Sequence, residues 1–407
     1  MSNKKDSLPK TIWILALALL CVGAGQSIIF ITVPPAARDL GLSEIQIGLI
    51  FSSSAIAWMI FSPYWGNLSD SVGRKKVVLI GLFGFAISLC LFSICISLGN
   101  SGYISGLLLF ILLILSRTIN GLFGSATRPA CGGWIADITS IKERSRAFAR
   151  FDSGFSAGRI IGPGIAGFLL LISYNLPFYL FSFLAILAGS LIFFLPDIKK
   201  TNHFSESIPN ISFFDKKVFP FILIAGMYGI ANATLVQTSS FYFQDVIYQN
   251  SGDFIFYSSL GFMIMGAGYL FGQLLIADRF KVQPGSLIRT GSILISGGLL
   301  LIAYSESLFS IYLALSIYGL GAGMLGPGLS SSLSISVGQG KQGLANGFMS
   351  MVIPLGHIVS PFLSMPLYSV NSSYPYFLSS FLMLIAFIYI LFNKRHKWIR
   401  DKSYLIN

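Results

Sequence analysis

The chain has 407 residues, of which 54% are hydrophobic and 10% are charged, and its mean hydropathy is +0.76. These values exclude a soluble globular protein, because apolar stretches of membrane-spanning length recur from end to end. The stretches are continuous rather than alternating, which favours helices over a β-barrel as the way to satisfy backbone hydrogen bonds in lipid. The sequence therefore predicts an all-α integral membrane protein.

Taken in chain order, the apolar stretches predict twelve transmembrane helices. They lie at residues 12–33, 46–64, 77–98, 105–136, 146–172, 176–195, 217–244, 254–276, 285–304, 309–332, 344–368 and 373–392. The first stretch follows three lysines and resembles a signal peptide. More spans follow it directly and no small-residue cleavage pattern stands out, so we interpret it as a retained first helix.

The distribution of basic residues predicts the orientation. With the N-terminus in the cytosol, 23 of the 27 lysines and arginines fall on the cytosolic side. This is the asymmetry that the positive-inside rule describes, so the net charge of +12 reflects topology rather than a nucleic-acid partner. We expect a multi-pass protein of the plasma membrane (in a bacterium, the inner membrane) with both termini in the cytosol.

Two short patterns repeat with one offset. Gly158-Arg159-Ile160-Ile161-Gly162-Pro163 returns 198 residues later as Gly356-His357-Ile358-Val359-Ser360-Pro361. The same offset superimposes Gly121 and Pro129 on Gly319 and Pro327. Coincidence in glycine-rich helices is one explanation. A duplicated half is the other, and it predicts two pseudo-symmetric six-helix bundles, at 1–195 and 217–407, joined by a cytosolic loop at 196–216.

Three motifs in the first half carry a family resemblance. The loop Gly66-Asn67-Leu68-Ser69-Asp70-Ser71-Val72-Gly73-Arg74-Lys75-Lys76 resembles the loop signature of the major facilitator superfamily. Arg117-Thr118-Ile119-Asn120-Gly121 resembles its fourth-helix motif, and Gly158 to Gly167 resembles the fifth-helix motif of its proton-coupled exporters. The second-half copy of the loop keeps only Ala277-Asp278-Arg279. The resemblance implies the major facilitator fold.

The resemblance also implies a latch on the cytosolic side, formed by the loop and the end of span four. Arg74 is expected to pair with Asp137, and Asp70 with a neighbouring helix start, while Gly66 and Gly73 shape the loop. A tight reversal between two helices independently favours glycine at Gly73. The alternative is an ordinary basic loop with incidental acids.

Arginines mark spans four and five. At regular helical spacing Arg117, Gly121, Gly124 and Arg128 form one stripe, in which two arginines flank a groove of glycines. An arginine in the middle of a membrane is costly, so such residues face a cavity or a partner. We hypothesise an ion pair between Arg128 and Asp152, and Arg159 adds a third cation.

The exporter-like motif in span five has a packing interpretation. Gly158, Gly162, Pro163 and Gly167 predict a kinked helix that packs closely against a neighbour and seals the cavity. His357 takes the place of Arg159 in span eleven. It is either a group that titrates in the cavity or a polar packing residue.

Acidic residues are absent from the middle of every predicted span, and Gln26 stands in span one where many proton-coupled relatives carry an acid. This departure weakens the inference of proton antiport and predicts a positive cavity, lined also by Asn232. The candidate substrate and coupling residues are Gln26, Arg117, Asn120, Arg128, Asp152, Arg159, Tyr228, Gln237 and His357.

The predicted function is secondary active transport by alternating access, with proton-coupled export of an amphiphilic or anionic compound as the leading form. The alternatives are uptake of an anionic metabolite or polycarboxylate siderophore, and a transport-inactive membrane sensor. No enzymatic activity, cofactor, metal or nucleic-acid partner is expected. The expected partners are membrane lipid, a small-molecule substrate and protons, and the resemblance implies a functional monomer.

Overall fold

A computed structural model describes residues 3–139, 141–196, 214–248, 253–278, 283–337 and 342–392. Side chains are described for these residues except 3–9, 141–150, 152, 274–278, 334, 337, 342–348 and 350. Every regular element within these ranges is helical.

Thirteen α-helices and two short π-helical turns make up the described chain. They are α1 (Asn3–Asp39), α2 (Glu44–Val72), α3 (Arg74–Asn100), α4 (Gly106–Ile119), a first π turn (Asn120–Gly124), α5 (Thr127–Ile138), α6 (Ile141–Leu170), α7 (Leu176–Phe193), α8 (Phe219–Tyr242), a second π turn (Phe243–Ile247), α9 (Phe254–Asp278), α10 (Pro284–Ala303), α11 (Leu308–Val337), α12 (Gln342–Val370) and α13 (Tyr374–Phe392).

These elements form the twelve spans that the sequence predicts. Eleven helical segments in the described ranges are long and apolar enough to cross a membrane, with α4, the first π turn and α5 counting as one. The remaining helix, α6, occupies the predicted fifth span and carries its charged residues. The prediction of an all-helical membrane protein is confirmed.

The chain divides into two compact units, Met1–Phe204 and Ser205–Asn407, and the division falls inside the predicted central loop. In the first unit α1 packs mainly on α6, and α3 packs on α7. In the second unit α8 packs mainly on α12, and α10 packs on α11.

The two repeated patterns lie at corresponding helix crossings of the two units. Gly158 of α6 meets the backbone of α1, and Gly356 of α12 meets the backbone of α8, which is the first helix of its own unit. Gly121 meets the backbone of α2, and Gly319 meets the backbone of α9. A Cβ at any of these four positions would collide with a main-chain carbonyl oxygen, so the sequence repeat coincides with a repeat of backbone-to-backbone contacts.

Span four departs from the regular helix that the stripe of arginines and glycines requires. The π turn at Asn120–Gly124 begins three positions after Arg117, directly after the end of α4, and it changes the faces on which the later residues lie. Arg117 is buried and Arg128 is exposed. Gly121 packs against Ser54 and Ala57 of α2, so it does not line an open groove. The prediction of one continuous stripe is therefore wrong.

The π turn is held by a side chain from α2. The indole Nε1 of Trp65 donates a hydrogen bond to the carbonyl oxygen of Leu122 at 2.6 Å. The same oxygen also accepts a hydrogen bond from the hydroxyl of Ser125 at 3.0 Å, so two side chains bind this carbonyl of the turn. The packing of α2 thus stabilises the irregular part of span four.

Candidate functional site

The loop between α2 and α3 consists of one residue with an unusual backbone. Gly73 has φ 104° and ψ 141°, a conformation that residues with a Cβ rarely adopt. It allows α3 to begin immediately after α2 ends. As a result Arg74 stands at the first position of α3 and its side chain returns toward α2 and α5.

Arg74 joins three groups at this level. Its Nε lies 2.9 Å from Oδ2 of Asp137 on α5, and both side chains are 19% exposed. It also forms an ion pair with Asp70, and its Nη1 donates to the hydroxyl of Ser69 at 2.7 Å. The pairing of Arg74 with Asp137 that the family resemblance implied is present. Asp70 pairs with Arg74 itself, the residue that starts α3.

Two further residues shape this cluster, and the sequence analysis did not single them out. Gly133 lies under the Arg74 guanidinium, since a Cβ there would come within 2.8 Å of Nε and closer still to Cζ. Lys75 donates to the carbonyl oxygen of Leu195 at 2.7 Å and lies over the ring of Phe193. Gly66 has only Pro129 near it, at 3.7 Å from an added Cβ. The cluster therefore links α2, α3, α5 and the end of α7 in the first unit.

The α1–α6 contact is built from glycines of the exporter-like motif. Added Cβ atoms at Gly158 and Gly162 would lie 2.8 Å from the Ala24 nitrogen and 2.7 Å from the Ala24 Cα, respectively. Gly154, one turn earlier, meets the carbonyl of Ala16 in the same way. Pro163 lies inside α6, where it removes one helical hydrogen bond.

The contact continues past the residues that the motif predicted. Gly167 is buried one turn beyond Pro163. From the α1 side, Gly23 meets the backbone of Phe155. Spacing alone did not reveal Gly23 and Gly154, although both fall in helices rich in small residues. Close packing of span five, which the sequence predicted, is present at main-chain level.

Arg117 lies in the last turn of α4 and Asn120 begins the π turn, and both are buried. Arg117 is 5% exposed and Asn120 is 0% exposed. The hydroxyl of Ser54 donates to Oδ1 of Asn120 at 3.3 Å. Within the described part of the chain, Nε and Nη1 of Arg117 and Nδ2 of Asn120 have no hydrogen-bond partner. This cluster therefore offers a positive charge and three hydrogen-bond donors that bind no acceptor in the described structure.

The remaining predicted coupling residues of the first unit with described side chains are more exposed to the surroundings than Arg117 and Asn120. Arg128 is exposed and lies 5.2 Å from the ring centroid of Phe155, a cation–π contact. Arg159 is exposed and Gln26 is half-buried. The side chain of Asp152 lies outside those described, so the hypothesised Arg128–Asp152 ion pair stays a prediction.

In the second unit, α8 presents a buried polar face to its neighbours. Thr234 shares a hydrogen bond of 2.6 Å with Ser364 of α12, and Thr238 donates to the hydroxyl of Tyr376 of α13 at 2.9 Å. The hydroxyl of Tyr318 on α11 donates to Oδ1 of Asn232 at 3.3 Å. Three neighbours of α8, which are α11, α12 and α13, each contribute a polar group.

Two of the predicted coupling residues meet on this face. Nε2 of Gln237 lies 3.2 Å from Nδ1 of His357 on α12, and the two residues are 120 positions apart in the chain. Gln237 is 0% exposed, and its Oε1 has no hydrogen-bond partner in the described structure. Tyr228, on the same helix, is half-buried. The sequence named both Gln237 and His357 but not their contact.

Comparison with known proteins places these features in a family. Residues 15–361 match the sequence profile of the Major Facilitator Superfamily. The quinolone resistance protein NorA of Staphylococcus aureus is 28% identical over 402 residues, which cover 95% of this chain and 97% of NorA. Multidrug resistance protein 1 of Bacillus subtilis is 28% identical over 392 residues, covering 94% and 95% of the two chains.

Solved structures share the fold. A nucleoside transporter, NupG, has a TM-score of 0.74 at 14% identity, covering 94% of this chain and 99% of that one. A human organic anion transporter has a TM-score of 0.68 at 19% identity, with the same two coverages. The sequence profile matches most of the chain, and the helical spans and the Arg74 cluster agree with it. The chain belongs to the major facilitator superfamily of membrane transporters.

Proposed function

We propose that this transporter exports a small amphiphilic organic compound by alternating access, in exchange for protons. The observation that carries the proposal is the α1–α6 contact. Three glycines of α6, at Gly154, Gly158 and Gly162, each bring that helix against the main chain of α1. Glycines four residues apart follow one face of a helix, so they form a continuous close seam.

A seam of this kind suits a transporter that must keep one side of the membrane closed while the other opens. Main-chain contact leaves no gap for water or protons between the two helices. An exporter that works against a concentration gradient depends on such a seal, because a leak dissipates the gradient that drives it. The resemblance of this motif to that of proton-coupled exporters supports the same direction of transport.

The relatives support the substrate class. The two curated relatives are named for resistance to quinolones and to multiple drugs, and each covers nearly the whole of this chain. We carry over from them an amphiphilic organic substrate. The protein would act in the plasma membrane as a monomer with both termini in the cytosol, as the distribution of basic residues supports.

One observation favours a second candidate, which is transport of an organic anion. The buried guanidinium of Arg117 and the amide of Asn120 have unused donors in the described structure. An unpaired buried cation is costly, and an anionic substrate group would compensate it. In this alternative, the protein takes up an anionic metabolite or a polycarboxylate siderophore.

The test uses purified protein in liposomes with an acidic interior and a trapped pH-sensitive dye. A fluoroquinolone, ethidium and citrate are added outside in separate experiments. Exchange of an amphiphile for protons raises the internal pH when the fluoroquinolone or ethidium is added, and this result would support the proposal. A pH change with citrate alone, lost in Arg117→Gln, would replace it with the anion alternative. No probe-dependent proton movement would refute proton coupling.

A further inference from the structure

The contact between Gln237 and His357 has two properties that a packing contact does not need. It joins α8 to α12, the two helices whose backbones meet at Gly229 and Gly356. It also leaves the Gln237 carbonyl oxygen, Oε1, buried and without a hydrogen-bond partner in the described structure. Native proteins leave few buried polar atoms unsatisfied, and the exceptions often have a functional reason.

The orphan oxygen complements one protonation state of the histidine. In the observed contact the amide nitrogen Nε2 of Gln237 donates, so Nδ1 of His357 must be the unprotonated acceptor. When Nδ1 binds a proton it becomes a donor and can no longer accept from Nε2. A half-turn about the last side-chain bond of Gln237 exchanges its two amide atoms and presents Oε1 to that proton. The new bond is charge-assisted and therefore stronger than the first.

The helices that pack against α12 within this unit supply no other side chain that ionises near pH 7 over their described residues. α12 packs on α8, α11 and α13. From Leu308 to Val337 and from Tyr374 to Phe392, α11 and α13 contain no lysine, arginine, histidine, aspartate or glutamate. The titratable groups of the three helices are tyrosines, which stay neutral near pH 7. They are Tyr228, Tyr242, Tyr312, Tyr318, Tyr374, Tyr376 and Tyr389.

One carboxylate follows α8, and it is already bonded. Asp245 lies in the second π turn, eight positions after Gln237, and accepts a hydrogen bond from the hydroxyl of Tyr368 at 2.9 Å. Eight residues of helix correspond to about 12 Å. Across the helices of the second unit, the only other ionisable residues besides the tyrosines are Asp278, Arg289 and His357. Asp278 ends α9 and Arg289 lies near the start of α10, so His357 alone lies in the middle of a helix.

We propose that His357 is the residue of the second unit that binds and releases the transported proton, with Gln237 as the positioning residue whose amide reverses as it does so. The inference rests on the proposed proton-coupled transport. A proton from one side of the membrane adds to Nδ1 and later leaves from the same atom to the other side, with no covalent bond formed. Because α8 and α12 hold the two partners, the proton changes the bond between these two helices.

The first test observes the histidine directly. The chain has three histidines, and His203→Gln with His396→Gln leaves His357 as the only one. Nitrogen NMR of this protein, labelled at histidine and held in nanodiscs, is followed from pH 5 to pH 8.5. We expect one titration within that range, with Nδ1 unprotonated at the alkaline end. Gln237→Glu should raise the midpoint by about one pH unit or more, because an anion favours the imidazolium.

Two further variants separate the proposed role from mere packing. Gln237→Leu keeps the histidine but removes the oxygen that stabilises its charged form, so the midpoint should fall by about one pH unit. Ser239→Ala on the same helix also alters a buried polar group without a partner, and it should leave the midpoint unchanged. A histidine that stays neutral throughout, or a midpoint indifferent to Gln237→Leu, would overturn the inference.

A transport measurement keeps this inference apart from the proposed function. Probe-driven proton movement is compared in wild type and in His357→Gln, with His357→Asn as a second variant and size-exclusion chromatography as the check on folding. If the variants still transport the probe but no longer move protons with it, the inference is supported. Unchanged proton movement in the variants overturns it while proton-coupled transport stands. Absence of proton movement in wild type refutes proton-coupled transport, and the NMR titration then decides whether the pair binds a proton.

Discussion

The glycine seam between α1 and α6 makes a prediction that can be worked from the coordinates. In Gly158→Ala the added Cβ would lie 2.8 Å from the Ala24 nitrogen and 3.0 Å from the Leu20 carbonyl carbon. Ordinary contacts begin at 3.4 Å, so the nitrogen alone requires the helices to separate by 0.6 Å (2.8 against 3.4 Å). The atoms that the new Cβ meets all belong to the main chain of α1, so no side chain can change its rotamer to make room. Overpacking of this kind costs about 1–3 kcal/mol.

The same substitution elsewhere provides the control. Gly297 lies on α10 with nothing within 4 Å of an added Cβ. Both substitutions gain helix propensity, worth up to about 1 kcal/mol in favour of alanine. The difference between Gly158→Ala and Gly297→Ala therefore isolates the clash, and we expect Gly158→Ala to be less stable by about 1–3 kcal/mol.

The assay is thermal unfolding of each variant in nanodiscs, followed by tryptophan fluorescence at one heating rate, together with passive proton leak in liposomes. Gly297→Ala should match or exceed the wild-type Tm. Gly158→Ala should have a lower Tm and a faster leak, because the seam has opened. Equal shifts of Tm in the two variants, with no change in leak, would refute the reasoning about main-chain contact.

Three other variants test the remaining clusters. Asp137→Asn should lower the free energy of unfolding by about 1–3 kcal/mol, and a double-mutant cycle with Arg74→Gln should show coupling; additive effects would contradict the pairing. Gly133→Ala should displace the Arg74 guanidinium and lower the Tm as far as Arg74→Gln does, whereas an unchanged Tm would show that the guanidinium is not held there. Arg117→Met should raise or preserve the Tm, since it removes an unsatisfied buried cation, while transport falls; a large loss of stability would reveal a partner for Arg117.

The helices and their order could be predicted because hydropathy is a strong signal in a membrane protein. Continuous apolar stretches located all twelve spans. Lipid offers no hydrogen-bond partners, so the backbone of each span must form its hydrogen bonds within a helix. The Arg74–Asp137 pair was also within reach, because the family resemblance supplied both partners. Gly73 followed from sterics alone, since a single-residue reversal requires its positive φ.

Span four shows where such reasoning fails. The stripe from Arg117 to Arg128 assumed a constant 3.6 residues per turn, and the π turn at Asn120–Gly124 breaks that period. The sequence of this stretch gives no sign of one extra residue in a turn, because its hydropathy is the same with or without that residue. A tertiary bond from Trp65 of another helix also contacts the turn, and no local pattern reveals that bond.

The contact between Gln237 and His357 was out of reach for a related reason. Both residues were named individually, since polar groups stand out in apolar helices. Their meeting depends on how α8 and α12 cross, which is fixed by the small residues Gly229 and Gly356. A sequence of many glycines does not tell which pair lies at the crossing. Gly133 escaped notice for the same reason.

The bond from Trp65 to the π turn also gives the protein an optical reporter of its own. Its indole N–H is hydrogen-bonded to Leu122 at 2.6 Å, whereas the N–H of buried Trp134 has no partner in the described structure. The chain has five tryptophans, and replacing Trp13, Trp58 and Trp398 with phenylalanine would leave these two. Hydrogen bonding of the indole shifts its vibrational and emission bands, so the two that remain are distinguishable by spectroscopy. If the extra residue of the turn is absorbed into regular helix during transport, the signal of Trp65 changes while that of Trp134 does not. The irregular turn can thus be followed in the working transporter without any attached label.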